Sequence, residues 1–307
     1  MMMNKIRLAL TGVALISASL IYSCSQKDKK AELKEDFTSG TVKFIADESF
    51  KPIIGEEEYI FESLFENAHP EIIYRSENEA LNLFLNDSIR VAILSREPTA
   101  DEIKVLKSRN LPPDVSRFAI DAVALIVNKA SADTLITVQE IKKMLNGDTK
   151  TDKNIVFDNP NSSLVRYLKD FSGNKEFKQK NIYALKSNKE VIEYVSKHEG
   201  AIGITGFSWL NDPDADYAAA VKNVKIVGVK DEASKSFPND YFKPSQSTLV
   251  LKQYPLSRGL YIINCSGKMG LGTGFASFLL SDRGQRIILK SGLLPDSIPA
   301  REINIKK

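Results

Sequence analysis

Short β-branched runs alternate with helix-forming segments along this 307-residue chain, and this alternation constrains its fold more than any other feature. Extended runs at 41–45, 90–94 and 154–157 are each followed by a pattern that favours a helix. Such alternation is typical of a largely parallel sheet covered by helices. About 265 residues follow Gly40, which is more than one hydrophobic core usually holds. We therefore predict an α/β protein with two domains or lobes.

The segment Asp158–Leu168 places a strand end, a polar turn and an amphipathic helix in direct succession. Asn161 or Ser162 can cap this helix, because a side-chain oxygen at that position accepts a free backbone N–H. The remaining free N–H groups and the helix dipole attract an anion. An ordinary capped helix has the same pattern, so the segment alone leaves both interpretations open.

Two other strand-to-helix junctions resemble this one. We call residues 46–50 the first junction, residues 94–99 the second junction and residues 158–168 the third junction; each contains serine. In open α/β sheets, ligands bind outside the carboxyl ends of the strands. Serine hydroxyls, backbone N–H groups and Arg96 would together form a donor set for a tetrahedral oxyanion. Agreement among the three junctions favours an anion site, although each serine can also be a simple helix cap.

The N-terminus has the features of an export signal. Lys5 and Arg7 precede an apolar run over residues 8–21, and the sequence Ile-Tyr-Ser then leads into Cys24. This pattern resembles a bacterial lipobox; the alternative is a plain signal peptide with an incidental cysteine. We predict a signal peptide over 1–23 and a polar tether over 24–40. Lipid on Cys24 would anchor the protein to a bacterial membrane on its extracytoplasmic side.

Charge and composition exclude several functions. Loss of the signal peptide removes two basic residues and no acidic ones, so the formal net charge falls from +3 to +1. A nearly neutral protein is a poor partner for nucleic acid, whose binding depends on neutralising many phosphates. His69, His198 and Cys265 show neither zinc-ligand spacing nor a catalytic triad. We therefore predict no catalytic residue, no metal and no cofactor.

Several motifs along the chain occur in a fixed order and spacing. They are 121–128, 135–141, 200–203, 254–258 and 275–286. With them, the chain resembles the phosphate-binding component of bacterial phosphate ABC transporters, a type II periplasmic binding protein. The similarity spans roughly residues 41–305.

This resemblance implies a two-lobed α/β fold with mostly parallel sheets and strands that cross between the lobes. Lobe 1 would comprise residues 41–122 and 262–307, and lobe 2 would comprise residues 123–261. The family's function implies a monomeric receptor, not an enzyme. It would bind inorganic phosphate between the lobes and deliver it to ABC permease subunits.

The resemblance also implies a set of phosphate-binding residues. The positions that match the family pattern are Ser49, Phe50, Ser76, Ser95, Arg96, Asn161, Ser162 and Ser163. This chain departs from the pattern in two places. No glycine flanks Ser76, and Asp158-Asn159-Pro160 stands where relatives have an arginine. We therefore expect Arg96 to supply the missing positive charge.

Selectivity for phosphate requires a group that accepts the proton of hydrogen phosphate. Sulfate has no such proton and would leave that acceptor unpaired, at a cost of about 1–3 kcal/mol. Candidates for the acceptor are Asp47, Glu97 and Asp158, of which we favour Asp158 because it opens the third junction. Two alternative functions stay open. One is a receptor for sulfate or molybdate; the other is a secreted enzyme acting on phosphoesters, disfavoured because no catalytic set is visible.

Overall fold

The computed structural model describes residues 35–148, 153–177 and 179–297. Its strands are β1 Gly40–Asp47, β2 Ala68–Arg75, β3 Val91–Leu94, β4 Asp114–Asn128, β5 Leu135–Thr137, β6 Asn154–Phe157, β7 Ile182–Ala184, β8 Ala201–Gly206, β9 Val224–Ile226, β10 Gly228–Lys230, β11 Ser257–Asn264 and β12 Leu294–Pro295. Its helices are α1 Lys51–Leu64, α2 Glu77–Leu85, α3 Ala100–Ser108, α4 Val138–Asn146, α5 Ser163–Ser172, α6 Asn188–Lys197, α7 Ser208–Asn211, α8 Ala218–Val221, α9 Gln246–Val250, α10 Leu271–Leu280 and α11 Asp282–Lys290.

The predicted signal peptide, the lipidation site Cys24 and most of the predicted tether lie outside the described residues. The last predicted tether residue, Gly40, is already the first residue of β1 and pairs with Ala68. Within the described part of the chain, no helix is both long enough and apolar enough to cross a membrane. Cys265 is a free, buried cysteine.

The main sheet has the strand order β2-β1-β3-β11-β4-β8-β6-β7, with β9 and β12 paired to β4. The pairs β1–β2, β1–β3, β6–β7 and β6–β8 are parallel. The antiparallel pairs of the described strands all involve β4 or β11. The predicted fold class is confirmed, with the parallel strands on both sides of a central antiparallel pair.

Strand β4 belongs to both halves of this sheet. Its residues 114–122 pair with β11, and its residues 123–127 pair with β8. The change of partner falls at the predicted boundary between residues 122 and 123. Strand β11 returns antiparallel to β4, so two strands link the two parallel regions. The division into lobes itself stays a prediction.

Local capping signals fix where the helices begin. Capping boxes of Thr99 with Glu102 and of Thr137 with Glu140 begin α3 and α4. At the third junction, Ser162 caps α5 and its hydroxyl accepts the N–H of Val165 at 3.2 Å. A cap of this kind stabilises a helix by about 1 kcal/mol. Hydrogen bonds between residues close in sequence therefore set the helix starts at the second and third junctions.

The buried faces of the elements pack into two hydrophobic clusters, an extensive one and a smaller one formed by residues of β1, α2, β3, α3 and β11. An aromatic cluster joins β1, α1 and α10, with the ring centres of Phe44 and Phe61 lying 5.3 and 5.2 Å from that of Phe275. Edge-on aromatic pairs of this geometry add about 0.5–1.5 kcal/mol to the burial of the rings. This packing holds the carboxyl end of β1, and with it the first junction, in a fixed place.

Candidate functional site

The first junction buries a carboxyl group at the end of β1. Asp47 is fully buried, and its Oδ1 accepts the backbone N–H of Ser49 at 2.9 Å. Its Oδ2 is also buried and has no hydrogen-bond partner among the described residues. Burial raises the pKa of Asp47, and the negative charge of the nearby Glu77 raises it further, while hydrogen bonding with the Ser163 hydroxyl and the positive charge of Arg258 lower it. Asp47 therefore presents one free oxygen to groups from other elements.

The third junction buries a second carboxyl group, that of Asp158. The Ser162 hydroxyl donates to its Oδ1, and the Asn188 amide donates to its Oδ2 at 2.9 Å. The Ser49 hydroxyl donates to the same Oδ2 at 3.4 Å. Burial raises the pKa of Asp158 to about 7, opposed by the hydrogen bond from Ser162. The first and third junctions thus meet at Asp158, although they are over 100 positions apart in the chain.

A buried arginine from β11 lies beside these carboxyl groups. Arg258 donates to Asp121 Oδ2 through Nε at 3.1 Å and Nη2 at 3.0 Å, and to the Ser163 hydroxyl through Nη1 at 2.9 Å. Its guanidinium carbon lies 4.8 Å from the centre of the Phe50 ring. Only 2% of its side chain is exposed. Arg258 is therefore a buried cation. In addition to pairing with Asp121, its positive charge lowers the pKa of Asp47 and of Asp158.

A second arginine connects the second and third junctions. Arg166 of α5 donates to both carboxylate oxygens of Glu77 and, at 2.7 Å, to the Ser95 hydroxyl. Ser95 in turn donates to Glu77 Oε2 at 2.9 Å. Glu77 is buried at the start of α2, so its charge requires these donors. The triad of Arg166, Glu77 and Ser95 holds the start of α5 against the end of β3.

Arg96, the cation that the sequence predicts, lies at the edge of this cluster. Its two terminal nitrogens donate to Glu102 at 2.7 and 2.8 Å, and Nη1 also donates to the backbone oxygen of Glu97. Its Nε lies 3.8 Å from Glu77. Glu97, one of the candidate proton acceptors, is exposed. Arg96 is thus held mainly by the capping acid of α3.

The structure brings most of the predicted residues together. Those that are buried at or beside the cluster are Ser49, Phe50, Ser76, Ser95, Asp158, Ser162 and Ser163. The Ser76 hydroxyl has no partner among the described side chains and backbone groups. Asn161 is exposed, and its backbone oxygen accepts the N–H of Asn78 at 3.3 Å. The assignment of all these residues to a ligand stays a prediction.

Five polar residues of the cluster are absent from the predicted set. They are Glu77, Asp121, Arg166, Asn188 and Arg258. Asp121 could have been identified from the sequence, because it interrupts an apolar strand. A charged side chain at such a position requires a buried partner. The sequence could not tell which of the 42 lysines and arginines provides that partner.

The cluster combines hydrogen-bond donors and acceptors. Serine hydroxyls, two arginines and the start of α5 supply the donors, and Asp47 and Asp158 supply the acceptors. Within the described ranges, no three histidine, cysteine, aspartate or glutamate side chains are grouped as metal ligands. Donors from several elements around buried carboxyl groups suit a small oxyanion that carries a proton.

Comparisons with known proteins agree with this fold. A family model described as a PBP superfamily domain matches residues 33–283, and the chain belongs to that superfamily. The phosphate-binding protein PstS of Borreliella burgdorferi is 25% identical over 299 residues, covering 92% of this chain and 96% of the relative. These matches confirm the resemblance that the sequence motifs indicate.

Two solved structures share the fold. One is a putative phosphate ABC transporter substrate-binding protein with bound phosphate from Clostridium perfringens, at a TM-score of 0.69 and 18% identity, covering 84% of this chain and 100% of that chain. The other is an ABC-type phosphate transport receptor from Vibrio cholerae, at a TM-score of 0.62 and 17% identity, covering 82% and 99%. At these identities the likeness concerns the fold.

Proposed function

We propose that this protein is an extracytoplasmic receptor that binds inorganic phosphate and passes it to an ABC importer. The observation that carries the proposal is the free Oδ2 of Asp47, buried next to Ser163 and Arg258 where the first and third junctions meet. A buried acceptor without a partner is costly, by about 1–3 kcal/mol, unless a ligand or water satisfies it. A protonated oxyanion would satisfy it.

Asp47 is the better candidate for the proton acceptor in this arrangement. Both oxygens of Asp158 already accept hydrogen bonds, whereas Asp47 has an oxygen to spare. Hydrogen phosphate would donate a hydrogen bond from its O–H group to this oxygen. Its other oxygens would accept hydrogen bonds from Ser163 and Arg258. Sulfate would instead bring a second acceptor against the carboxylate, which is repulsive. The sequence-based choice of Asp158 is thereby replaced, in this proposal, by Asp47.

Asp158 would then control the donors of the site. In the present arrangement the hydroxyls of Ser49 and Ser162 donate to this carboxyl group. An entering oxyanion competes for the same hydroxyls, and a protonated Asp158 releases them more readily than a charged one. Because the pKa of Asp158 is raised to about 7, protonation near neutral pH costs little free energy.

The cellular setting is inferred from the sequence and from the known relatives. Lipid on Cys24 would keep the receptor at the membrane, and the tether would let it reach ABC permease subunits. Residues 41–122 with 262–307 and residues 123–261 would act as two lobes that close over the anion about β4 and β11. This mode of action requires no chemical turnover, so we infer that the protein is not an enzyme.

Calorimetric titration of the purified protein with phosphate, arsenate, sulfate and molybdate tests this function. We expect saturable binding of phosphate and arsenate, which carry a proton near neutral pH, and at least tenfold weaker binding of sulfate, corresponding to about 1.4 kcal/mol. Tight binding of sulfate or molybdate without binding of phosphate would identify a receptor for another oxyanion. That alternative is favoured by the two departures from the family pattern, the absence of glycine beside Ser76 and of an arginine at residues 158–160.

A further inference from the structure

A cavity of about 650 Å³ lies next to the candidate site and shares Asn188 with it. It is bounded by α1 on one side and by the starts of α6 and α7 on the other. Two of its wall residues also contact the buried site. Asn188 donates to Asp158, and Trp209 Nε1 donates to the backbone oxygen of Ser49 at 2.8 Å. A cavity of this volume has room for a small organic molecule.

Acidic groups dominate the wall of this cavity. Its carboxylates are Glu48, Glu56, Glu58, Asp212, Asp214 and Asp216, against three lysines. One of the lysines, Lys189, is already paired with Asp216 at 2.5 Å. The carboxylates come from separate elements, and in the part of the chain that the structure describes no three such groups are clustered as metal ligands. An organic cation, whose ammonium group can bind without a tight shell of carboxylate ligands, fits this wall better than a metal ion.

Aromatic side chains line the same cavity. They are Tyr59, Tyr74, Trp209 and Tyr217, and the rings of Trp209 and Tyr217 lie 5.8 Å apart. The face of such a ring attracts ammonium groups, by about 0.5–2 kcal/mol. The ring of Tyr74 already has the ammonium group of Lys51 at 5.9 Å from its centre. The wall therefore combines acidic groups with the ring faces that ammonium ligands prefer.

The cavity also contains buried polar atoms that lack a partner. The Ser208 hydroxyl is one of them, on a residue that is only 3% exposed. The hydroxyl of Tyr74 is another, and neither has a hydrogen-bond partner among the described groups. Buried hydroxyls are normally satisfied, and each can accept an N–H from a ligand. This observation is independent of the acidic wall and indicates a bound polar molecule.

We propose that this cavity binds a small organic cation that carries a primary or quaternary ammonium group. The ammonium group lies among the carboxylates of α1 and of the segment after α7, its apolar part packs on the tyrosine and tryptophan rings, and Ser208 accepts an N–H of the ligand or an O–H of its hydration water. The proposal does not depend on the identity of the anion in the neighbouring site.

Fluorescence titration tests the proposal directly, because Trp209 is the single tryptophan of the chain and lies in the cavity wall. The purified protein is titrated with choline, putrescine and spermidine, and with the neutral diol 1,4-butanediol as the match for putrescine. Each titration is run with and without phosphate. We expect a saturable change with at least one ammonium compound in both conditions, and none with the diol. No change with any of the three up to about 10 mM, or an equal change with the diol, overturns the proposal.

A matched pair of variants locates the site. Asp212→Asn combined with Asp214→Asn neutralises two exposed carboxylates of the wall and should weaken cation binding about fivefold. Asp240→Asn removes an exposed carboxylate that is not in the cavity wall and should leave the affinity unchanged. Equal weakening by both variants would show a general charge effect and would overturn the assignment. Phosphate binding, measured by calorimetry, should be unchanged in both variants and serves as the control for folding.

Discussion

The first and third junctions bury an aspartate at the same place, the carboxyl end of a parallel strand, yet they treat it differently. Asp158 receives hydrogen bonds from three side chains, namely those of Ser162, Asn188 and Ser49. Asp47 receives one backbone hydrogen bond and keeps a free oxygen. The same strand-end motif therefore gives two different roles. Asp158 orients hydrogen-bond donors, whereas Asp47 has an oxygen available to a ligand.

The difference arises from the length of the connection between each aspartate and the next helix. After Asp158 the chain makes a full turn, so that Ser162, four residues later, can both cap α5 and donate to the carboxyl group. After Asp47 a short 3-10 turn over Glu48–Phe50 leads directly into α1, and Ser49 turns its hydroxyl towards Asp158 instead. The shorter connection leaves Asp47 without a side-chain donor from its own junction, and Ser163 of the third junction is the hydroxyl that acts on it.

The largest effect is expected at the cation that both junctions share. Arg258→Met should abolish phosphate binding and lower the free energy of unfolding by about 3–5 kcal/mol, because Asp121 loses its buried partner. Denaturant unfolding and calorimetry measure the two effects. The double variant Arg258→Met with Asp121→Asn should recover much of the stability without recovering binding. Recovery of binding in the double variant would show that Arg258 acts on the fold alone.

The next effect separates the two aspartates. Asp47→Asn should reduce the preference for phosphate over sulfate by about 1–3 kcal/mol, because an amide can donate to sulfate where the carboxylate repels it. Asp158→Asn should change this preference less, since its oxygens are engaged by protein donors. Competition of sulfate against phosphate in each variant provides the measurement. A larger change in Asp158→Asn would reverse the roles assigned to the two residues.

Stability in the absence of phosphate should depend on pH through the third junction. The pKa of Asp158 is raised from 3.8 to about 7, so the folded protein holds this proton more tightly than the unfolded chain. The resulting stabilisation is fully present below about pH 4 and is lost as pH rises through about 7, with a slope of at most about 1.4 kcal/mol per pH unit.

The measurement is the free energy of unfolding between pH 5 and pH 8 for the wild type and Asp158→Asn. Other buried carboxyl groups, such as Glu57 with its pKa raised to about 9, are present in both proteins, so the difference between the two curves reports on Asp158. The wild type should lose more stability over this range than the variant. Parallel curves would remove Asp158 as a titrating group.

The smallest effect is expected at the second junction. Arg96→Gln should weaken phosphate binding less than about threefold, because Arg96 is held by Glu102 at the edge of the cluster. Arg166→Gln is the matched control; it leaves Glu77 without its main donor and should weaken binding at least tenfold. Calorimetric titration of both variants with phosphate measures the two losses of affinity. If Arg96→Gln is the more damaging of the two, the cation assignment made from the sequence is correct.

Much of the fold can be predicted from local sequence patterns. The extended run 154–157 places β6, the capping box of Thr99 with Glu102 marks the start of α3, and the alternation of strands and helices gives the fold class. The antiparallel pairing of β4 and β11 is a long-range property that no local pattern specifies, because it joins segments more than 100 residues apart. The motifs shared with the family supplied this part of the prediction.

The candidate site was predictable only in part, for the same physical reason. Ser49, Ser162 and Ser163 lie at helix starts, where a local signal exists. Arg258 and Asn188 sit near the start of one strand and at the start of one helix, and their significance depends on which buried carboxyl groups they meet. Pairing of buried charges is decided by the tertiary fold, so the sequence indicated Arg96, an arginine within a junction.

We expect Asp47 and the start of α5 to bind the same protonated oxyanion. A crystal structure of the protein grown with phosphate tests this most directly. We predict a phosphate whose oxygens lie within hydrogen-bond distance of Ser163, Arg258 and Asp47 Oδ2. A phosphate bound at another place, or one that contacts Arg96 and leaves Asp47 without a partner, would contradict the proposed site.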